Sequence, residues 1–246
     1  MWTKDAAFEP PNDDTVLWRY MSTEKLLSLL STGALHLARL DRLDDPWEGA
    51  LTQRQIDDQI RFVPGSSDDA AKWLRHAARD FAQKVWVSCW HANPLESAAM
   101  WDLYASRHAG VAIVTTAGLL RKCIHTPLEL WLLSVKYVDY ESWATQGARE
   151  ALQYPSGSFH TSVALKRKSF EHEREVRIMH MAPLEDGSSS GTSIELAINV
   201  PEAVTKIYVA PSAPTWHATA LQHVAAKFGL DPAVVTQSRL YDPYVS

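Results

Sequence analysis

The chain has 246 residues, of which 46% are hydrophobic and 22% are charged, and its formal net charge is −5. These proportions are ordinary for a globular protein and exclude a collagen-like rod, a coiled coil and a disordered chain. The negative net charge argues against a protein that tracks nucleic-acid phosphates, although it leaves room for a local basic groove.

The first 14 residues are polar and predict a loose lead-in rather than a secretory signal. The chain then opens as strand, short helix and strand. Val16–Met21 alternates as a strand, Ser22 and Thr23 can cap the helix that follows, and Gly33 stands where that helix would end. Residues 34–40 predict the second strand.

Strands and helices alternate through the rest of the chain. After a turn at 44–49, helices are predicted at 51–62 and 67–84. Further strands are predicted at 85–90, 111–115, 131–140, 173–181, 193–200, 206–210 and 234–238, and further helices at 95–105, 117–124, 142–152, 159–169 and 215–229. We therefore predict an α+β fold, a single domain over 1–246 whose central mixed, mostly antiparallel sheet is flanked by helices. The helices of 51–84 are candidates for an insertion.

The glycine and cysteine counts limit the function classes. Only 10 glycines are present where average usage predicts about 17, and no P-loop, dinucleotide-binding, zinc-protease or nucleophile-elbow motif occurs. Cys89 and Cys123 are too few for a disulfide framework, and no apolar stretch reaches the length of a membrane helix. We expect a cytoplasmic protein with no membrane partner.

A charged block near residue 175 is the most informative segment. On a strand that starts at Glu173, the side chains of Glu173, Glu175 and Arg177 would share one face. Two neighbouring carboxylates on a dry face raise one pKa unless a cation compensates, and Arg177 is placed to do so. The block is either a solvated edge strand or a carboxylate, held by an arginine, that stabilises positive charge developing on a substrate.

Arg19 lies among apolar residues of the first strand, where a guanidinium is costly to bury without an anion. It would either pair with an internal carboxylate, Asp45 or Glu175, or offer its N–H groups to a phosphate or carboxylate ligand.

Two further patterns supply candidate residues. Asp45 belongs to an Asp-Pro turn, which is either structural or positions a substrate. Trp101 and Tyr104 share one helix face, as core packing or as a ligand platform.

The motifs together resemble, in order, a bacterial family catalogued as domain of unknown function 2971, which carries no settled activity. The resemblance covers about residues 16–240 and departs at Asp44, Phe170 and His172. The matching motifs are Trp18-Arg19-Tyr20, Leu26–Leu37, Asp45-Pro46-Trp47, Ser88-Cys89-Trp90, Met100-Trp101 with Tyr104-Ala105 and Gly110-Val111, and Lys166 with Phe170–Arg177.

A more distant resemblance is to ADP-ribosyltransferase-like toxins. In that family an early strand carries an Arg or His that holds NAD, and a late strand carries a catalytic Glu, often as Glu-x-Glu. Arg19 and Glu173-Arg174-Glu175 stand in that order. The departures are a Ser-Thr-Ser step reduced to Ser88 and two helices inserted between the second and third strands.

This resemblance implies an NAD-using ADP-ribosyltransferase or NAD glycohydrolase, a toxin or phage-defence effector, with no bound metal. NAD would be the co-substrate, a macromolecule the acceptor, and a carboxylate would stabilise the oxocarbenium-like state. The catalytic residues would be Glu175 and the assisting Glu173, and the substrate-binding residues Arg19, Tyr20, Asp45, Ser88, Trp90, Trp101, Tyr104 and Arg177.

Two other hypotheses stay open. The chain could be a non-catalytic module that binds a small anion or a partner protein. It could also be a nuclease or phosphodiesterase that holds Mg²⁺ with Asp45, Glu48 and Glu173. Convergence of Arg19, Tyr104 and the 173–177 strand on one pocket would favour the NAD-using enzyme.

Overall fold

A computed structural model describes residues 1–6, 8–60, 62, 64–106, 108–139, 159–183 and 191–243. These residues form a large mixed, mostly antiparallel sheet flanked by helices, which confirms the predicted α+β class. The helix predicted at 142–152 lies outside the described residues.

The strands are β1 (Val16–Ser22), β2 (Ala34–Arg39), β3 (Val85–Ala92), β4 (Gly110–Thr116), β5 (Ile124–His125), β6 (Trp131–Ser134), β7 (Lys136–Val138), β8 (Leu165–Arg167), β9 (Glu175–Met181), β10 (Ser193–Ile198), β11 (Lys206–Val209) and β12 (Val235–Gln237). The α-helices are α1 (Thr23–Thr32), α2 (Gln53–Ile60), α3 (Ser67–Ala82), α4 (Ala98–Tyr104), α5 (Ala117–Cys123), α6 (Phe159–Ser162), α7 (Val200–Ala203) and α8 (Thr215–Lys227). Short 3₁₀ turns span Leu40–Arg42, Lys168–Glu173 and Pro232–Val234. Among the helices of the described ranges, none has both the length and the apolar character needed to cross a bilayer.

The chain divides into two compact units, each built from three separate segments. Unit 1 consists of residues 1–10, 37–88 and 128–194, and unit 2 of residues 11–36, 89–127 and 195–246. The single domain over 1–246 stays a prediction.

The opening of the chain folds as predicted, because both helix ends carry suitable residues. The Ser22 hydroxyl accepts a hydrogen bond from the Lys25 N–H at the start of α1. Gly33 ends the helix in the left-handed conformation, with φ +60°, and its N–H donates to the Leu29 carbonyl at 3.0 Å.

In unit 2, β1 lies between two antiparallel neighbours. It pairs with β4 along its whole length, and its Leu17 and Trp18 lie opposite Ala92 and His91 of β3. On its other side β4 pairs antiparallel with β11, which pairs parallel with β12. The middle of β1 is therefore surrounded by sheet on both sides.

In unit 1, β9 pairs antiparallel with β6, and β7 pairs in parallel with β8. The helix predicted at 159–169 is wrong beyond Ser162, because buried Leu165 continues into β8 instead. The strand predicted from Glu173 begins at Glu175, since Arg174 ends the preceding 3₁₀ turn with φ +41°. Pairing with neighbouring strands outweighed local helix propensity here.

Gly33 provides a direct test of the helix end. We expect Gly33→Ala to lower the free energy of unfolding by about 1–2 kcal/mol, because a Cβ disfavours positive φ. Urea denaturation measures the change. Gly33→Asn should lose less, since Asn tolerates this conformation, and equal stability of wild type and Gly33→Ala would contradict the cap assignment.

Candidate functional site

Arg19 occupies the middle of β1 in unit 2, beside Trp90 on β3. Its guanidinium carbon lies 5.7 Å from the centroid of the Trp90 ring, a cation–π distance. The Arg19 Nη2 donates a hydrogen bond to the His36 carbonyl at 3.2 Å. Burial lowers the pKa of Arg19, and the nearby Cys89 thiol partly opposes that effect.

Within the described ranges, no carboxylate pairs with Arg19. The two carboxylates that the sequence offered as partners are engaged by other cations: Asp45 accepts from Arg167 at 2.8 Å, and Glu175 accepts from Arg177. A guanidinium carries five N–H donors, and the described contacts of Arg19 occupy one of them. This is the chemistry of an anion site.

The opposite face of β1 packs an aromatic core. The rings of Tyr20 and Trp101 meet edge to face, with centroids 5.1 Å apart. The Tyr20 hydroxyl accepts from the Ser97 N–H at 2.8 Å, and the Trp101 indole N–H donates to the Glu96 carboxylate at 3.0 Å. Trp101 is fully buried, whereas Tyr104 is 47% exposed. The ligand contacts predicted for these aromatic residues stay predictions.

Unit 1 contains a buried ionic cluster centred on Arg177, which is 0% exposed. The Arg177 Nε donates to Glu175 at 2.5 Å, and its Nη2 donates to both oxygens of Glu48 at 2.9 and 2.8 Å. Its Nη1 donates to the Val163 carbonyl at 2.8 Å. Arg177 is thus the cation that the sequence predicted for Glu175.

Lys166 of β8 is the second cation of the cluster. Its Nζ contacts Glu173, Glu175 at 3.1 Å and Glu48 at 3.3 Å. Burial lowers the pKa of Lys166, but Glu175, Glu48 and the hydrogen bond to Glu173 raise it, and the net shift of the pKa is upward. Each of the three carboxylates therefore contacts at least one cation, although three carboxylates and two cations leave a formal charge of −1.

Glu173 reaches this cluster from the 3₁₀ turn rather than from β9. The left-handed Arg174, with φ +41° and ψ +53°, separates it from Glu175. A non-glycine residue in this region is strained, and such residues often occur at functional sites. The sequence offered Glu48 as a Mg²⁺ ligand and Lys166 as part of a matching motif, but it predicted neither as a partner of Glu175.

In unit 1, Asp45 forms hydrogen bonds within the protein and Ser88 is buried in the sheet. Asp45 accepts from the Trp47 N–H at 3.1 Å as well as from Arg167, which closes the predicted turn. Ser88 is buried within β3. Of the predicted site residues, unit 1 holds Asp45, Ser88, Glu173, Glu175 and Arg177, and unit 2 holds Arg19, Tyr20, Trp90, Trp101 and Tyr104.

The three carboxylates of the Mg²⁺ hypothesis are each paired with a cation: Asp45 with Arg167, Glu48 with Arg177 and Glu173 with Lys166. In the part of the chain that the structure describes, no group of three His, Cys, Asp or Glu side chains is arranged to hold a metal ion.

Comparison with known proteins finds a family and solved structures that this chain resembles. Residues 100–178, about a third of the chain, match the profile of a family described as "Protein of unknown function (DUF2971)", which confirms the predicted resemblance over that segment. No curated protein matches the chain.

One of the solved structures that the chain resembles is that of Thermus sp. 2.9 DarT in complex with ADP-ribosylated ssDNA. It is 10% identical, the alignment covers 90% of this chain and 92% of that one, and the TM-score is 0.38. A likeness at this level carries no argument about function.

The ionic cluster predicts a large effect of removing its central cation. We expect Arg177→Met to lower the free energy of unfolding by about 3–5 kcal/mol, because it leaves Glu48 and Glu175 buried beside a single cation. Urea denaturation measures the loss, and the exposed Arg239→Met is the matched control, with no measurable loss expected.

A double variant shows whether the loss comes from stranded charge. Adding Glu48→Gln to Arg177→Met should restore part of the lost stability, because one uncompensated carboxylate is removed. Wild-type stability of Arg177→Met, or a further loss in the double variant, would contradict the role of the cluster.

Proposed function

We propose that the chain binds a small phosphate-bearing nucleotide through Arg19, with NAD as the first ligand to test. The observation that carries this proposal is the half-buried Arg19 guanidinium over Trp90, for which the described residues supply no carboxylate.

The energetics favour a ligand anion at this position. Burying a charged group without a counter-ion is costly, and an anion that occupies the site removes that cost. A guanidinium presents its N–H groups as a fork that matches two phosphate oxygens, and contact with Trp90 restricts the plane of that fork. Because Arg19 is only half-buried, we expect added salt to weaken the interaction in part.

NAD is the first nucleotide to test because of the order of the motifs. An arginine on the first strand, followed by a short helix and a strand, resembles the element that holds NAD in ADP-ribosyltransferase-like toxins. The pyrophosphate of NAD would supply the anion that Arg19 lacks.

A second candidate function is ADP-ribosyl transfer or NAD hydrolysis by Glu175, with Glu173 assisting. It is favoured by the strained Arg174 between these two buried carboxylates. A carboxylate held ionised by cations could stabilise the positive charge that develops on the ribose as nicotinamide leaves. Both oxygens of Glu175 already accept hydrogen bonds, so a substrate would have to compete for one of them.

Calorimetry with NAD, ADP and inorganic phosphate tests the binding function. We expect Arg19→Met to weaken nucleotide binding about 10- to 100-fold, because a charge-assisted hydrogen bond is worth about 1.5–3 kcal/mol. Arg19→Lys should retain part of the affinity, and the exposed Arg239→Gln should retain all of it. Equal affinities of wild type and Arg19→Met, or no binding of any of the three ligands at millimolar concentration, would refute the proposal.

Nicotinamide release tests the catalytic candidate separately. If Glu175 stabilises the transition state, Glu175→Gln should slow release about 10²- to 10³-fold while NAD still binds. The neighbouring exposed Glu171→Gln is the control, and both assays should include protein and single-stranded DNA as acceptors. Unchanged release in a folded Glu175→Gln protein would exclude the catalytic role and leave the binding proposal intact.

A further inference from the structure

Unit 1 contains a pocket of about 570 Å³, a volume typical of small-molecule sites. Its walls come from residues of the Asp-Pro turn and the segment after it, from α2 and α3, from the end of β7, and from residues 167–169. None of the five charged residues of the ionic cluster lines it, and neither does Arg19.

One part of the pocket wall is cationic. The basic lining residues are Arg75, Arg167 and Lys168, and the acidic residue among the described lining residues is Asp139. The lining therefore carries a surplus of two positive charges in a chain whose net charge is −5. Such a local reversal of sign favours an anionic ligand.

The remaining wall is apolar and aromatic. Leu51, Ile56 and Val138 supply aliphatic surface, and the Trp47 ring is 46% exposed. A large indole beside a pocket can stack on a planar ring, which adds affinity beyond the burial of apolar area.

Arg167 is held in a fixed position between these two parts. Its guanidinium lies over the rings of Trp47 and Phe170, at 5.8 and 5.2 Å, and its Nη2 donates to Asp45 at 2.8 Å. Its Nε is buried and has no hydrogen-bond partner in the described structure. The Arg167 side chain as a whole is 36% exposed, so the accessible part of its guanidinium can still contact a ligand in the pocket.

We propose that this pocket binds a mononucleotide, in addition to the ligand of Arg19. The phosphate would lie among the side chains of Lys168, Arg75 and Arg167, and the base would lie against Trp47 and the aliphatic wall. The Asp139 carboxylate is placed to accept a hydrogen bond from a sugar hydroxyl or a base amine.

Calorimetry on the full chain tests the proposal with AMP, adenosine and ribose 5-phosphate. AMP should bind, and each fragment should bind at least about tenfold more weakly because each lacks one of the two recognised groups. Similar affinities of AMP and ribose 5-phosphate would reduce the pocket to a simple anion site and overturn the proposal.

Variants with matched controls locate the binding. Lys168→Gln and Trp47→Leu should each weaken AMP binding by about tenfold, whereas Lys72→Gln and Trp73→Leu, which alter exposed residues of α3 outside the pocket, should not. Arg19→Met should leave this binding unchanged, so failure here is distinguishable from failure of the Arg19 site.

Three further results would overturn the proposal. They are no AMP binding by the wild-type protein, AMP binding that neither pocket variant weakens, and an oligothymidylate that binds far more tightly than AMP and depends on the same two residues. The last result would assign the pocket to a single strand of nucleic acid.

Discussion

An arginine inside a β-sheet needs an anion, because its charge is not lost at any ordinary pH and its desolvation is expensive. The two units meet this constraint differently. In unit 1, Arg177 is fully buried and donates to Glu48 and Glu175, and Lys166 contacts the same two carboxylates and Glu173. In unit 2, Arg19 has an aromatic ring and a backbone carbonyl but no carboxylate among the residues described. The first arrangement stabilises a fold, and the second is suited to an external anion.

This contrast separates binding from catalysis. The charges around Glu175 satisfy one another, which is expected of a structural cluster and also keeps the carboxylate ionised. Catalysis by Glu175 therefore needs an additional event, the displacement of an internal hydrogen bond by a substrate. Anion binding by Arg19 needs no such event, since its unused donors are already oriented by Trp90.

Local signals predicted much of the fold and half of the ionic cluster. The Ser22 cap and Gly33 fixed α1 to within a residue, and period-two alternation placed Arg177 where it could compensate Glu175. Long-range partners left no local signal: Glu48 is 129 residues from Arg177. Residues 163–167 continue into β8 because that strand pairs with β7. The left-handed conformation of Arg174 cannot be predicted from the alternation of side chains along a strand. The walls of the pocket in unit 1 come from segments that are far apart in the sequence, so no local motif could have predicted the pocket.

The most direct test of the account is a nuclear magnetic resonance titration of the arginine side-chain Nε–H signals with NAD. The Arg19 signal, assigned by its absence in Arg19→Lys, should shift saturably as NAD is added, while the Arg177 signal stays in place because its donors are already engaged. An Arg19 signal that does not move up to millimolar NAD, or a shift confined to other arginines, would contradict the claim that the Arg19 guanidinium of β1 is the anion site.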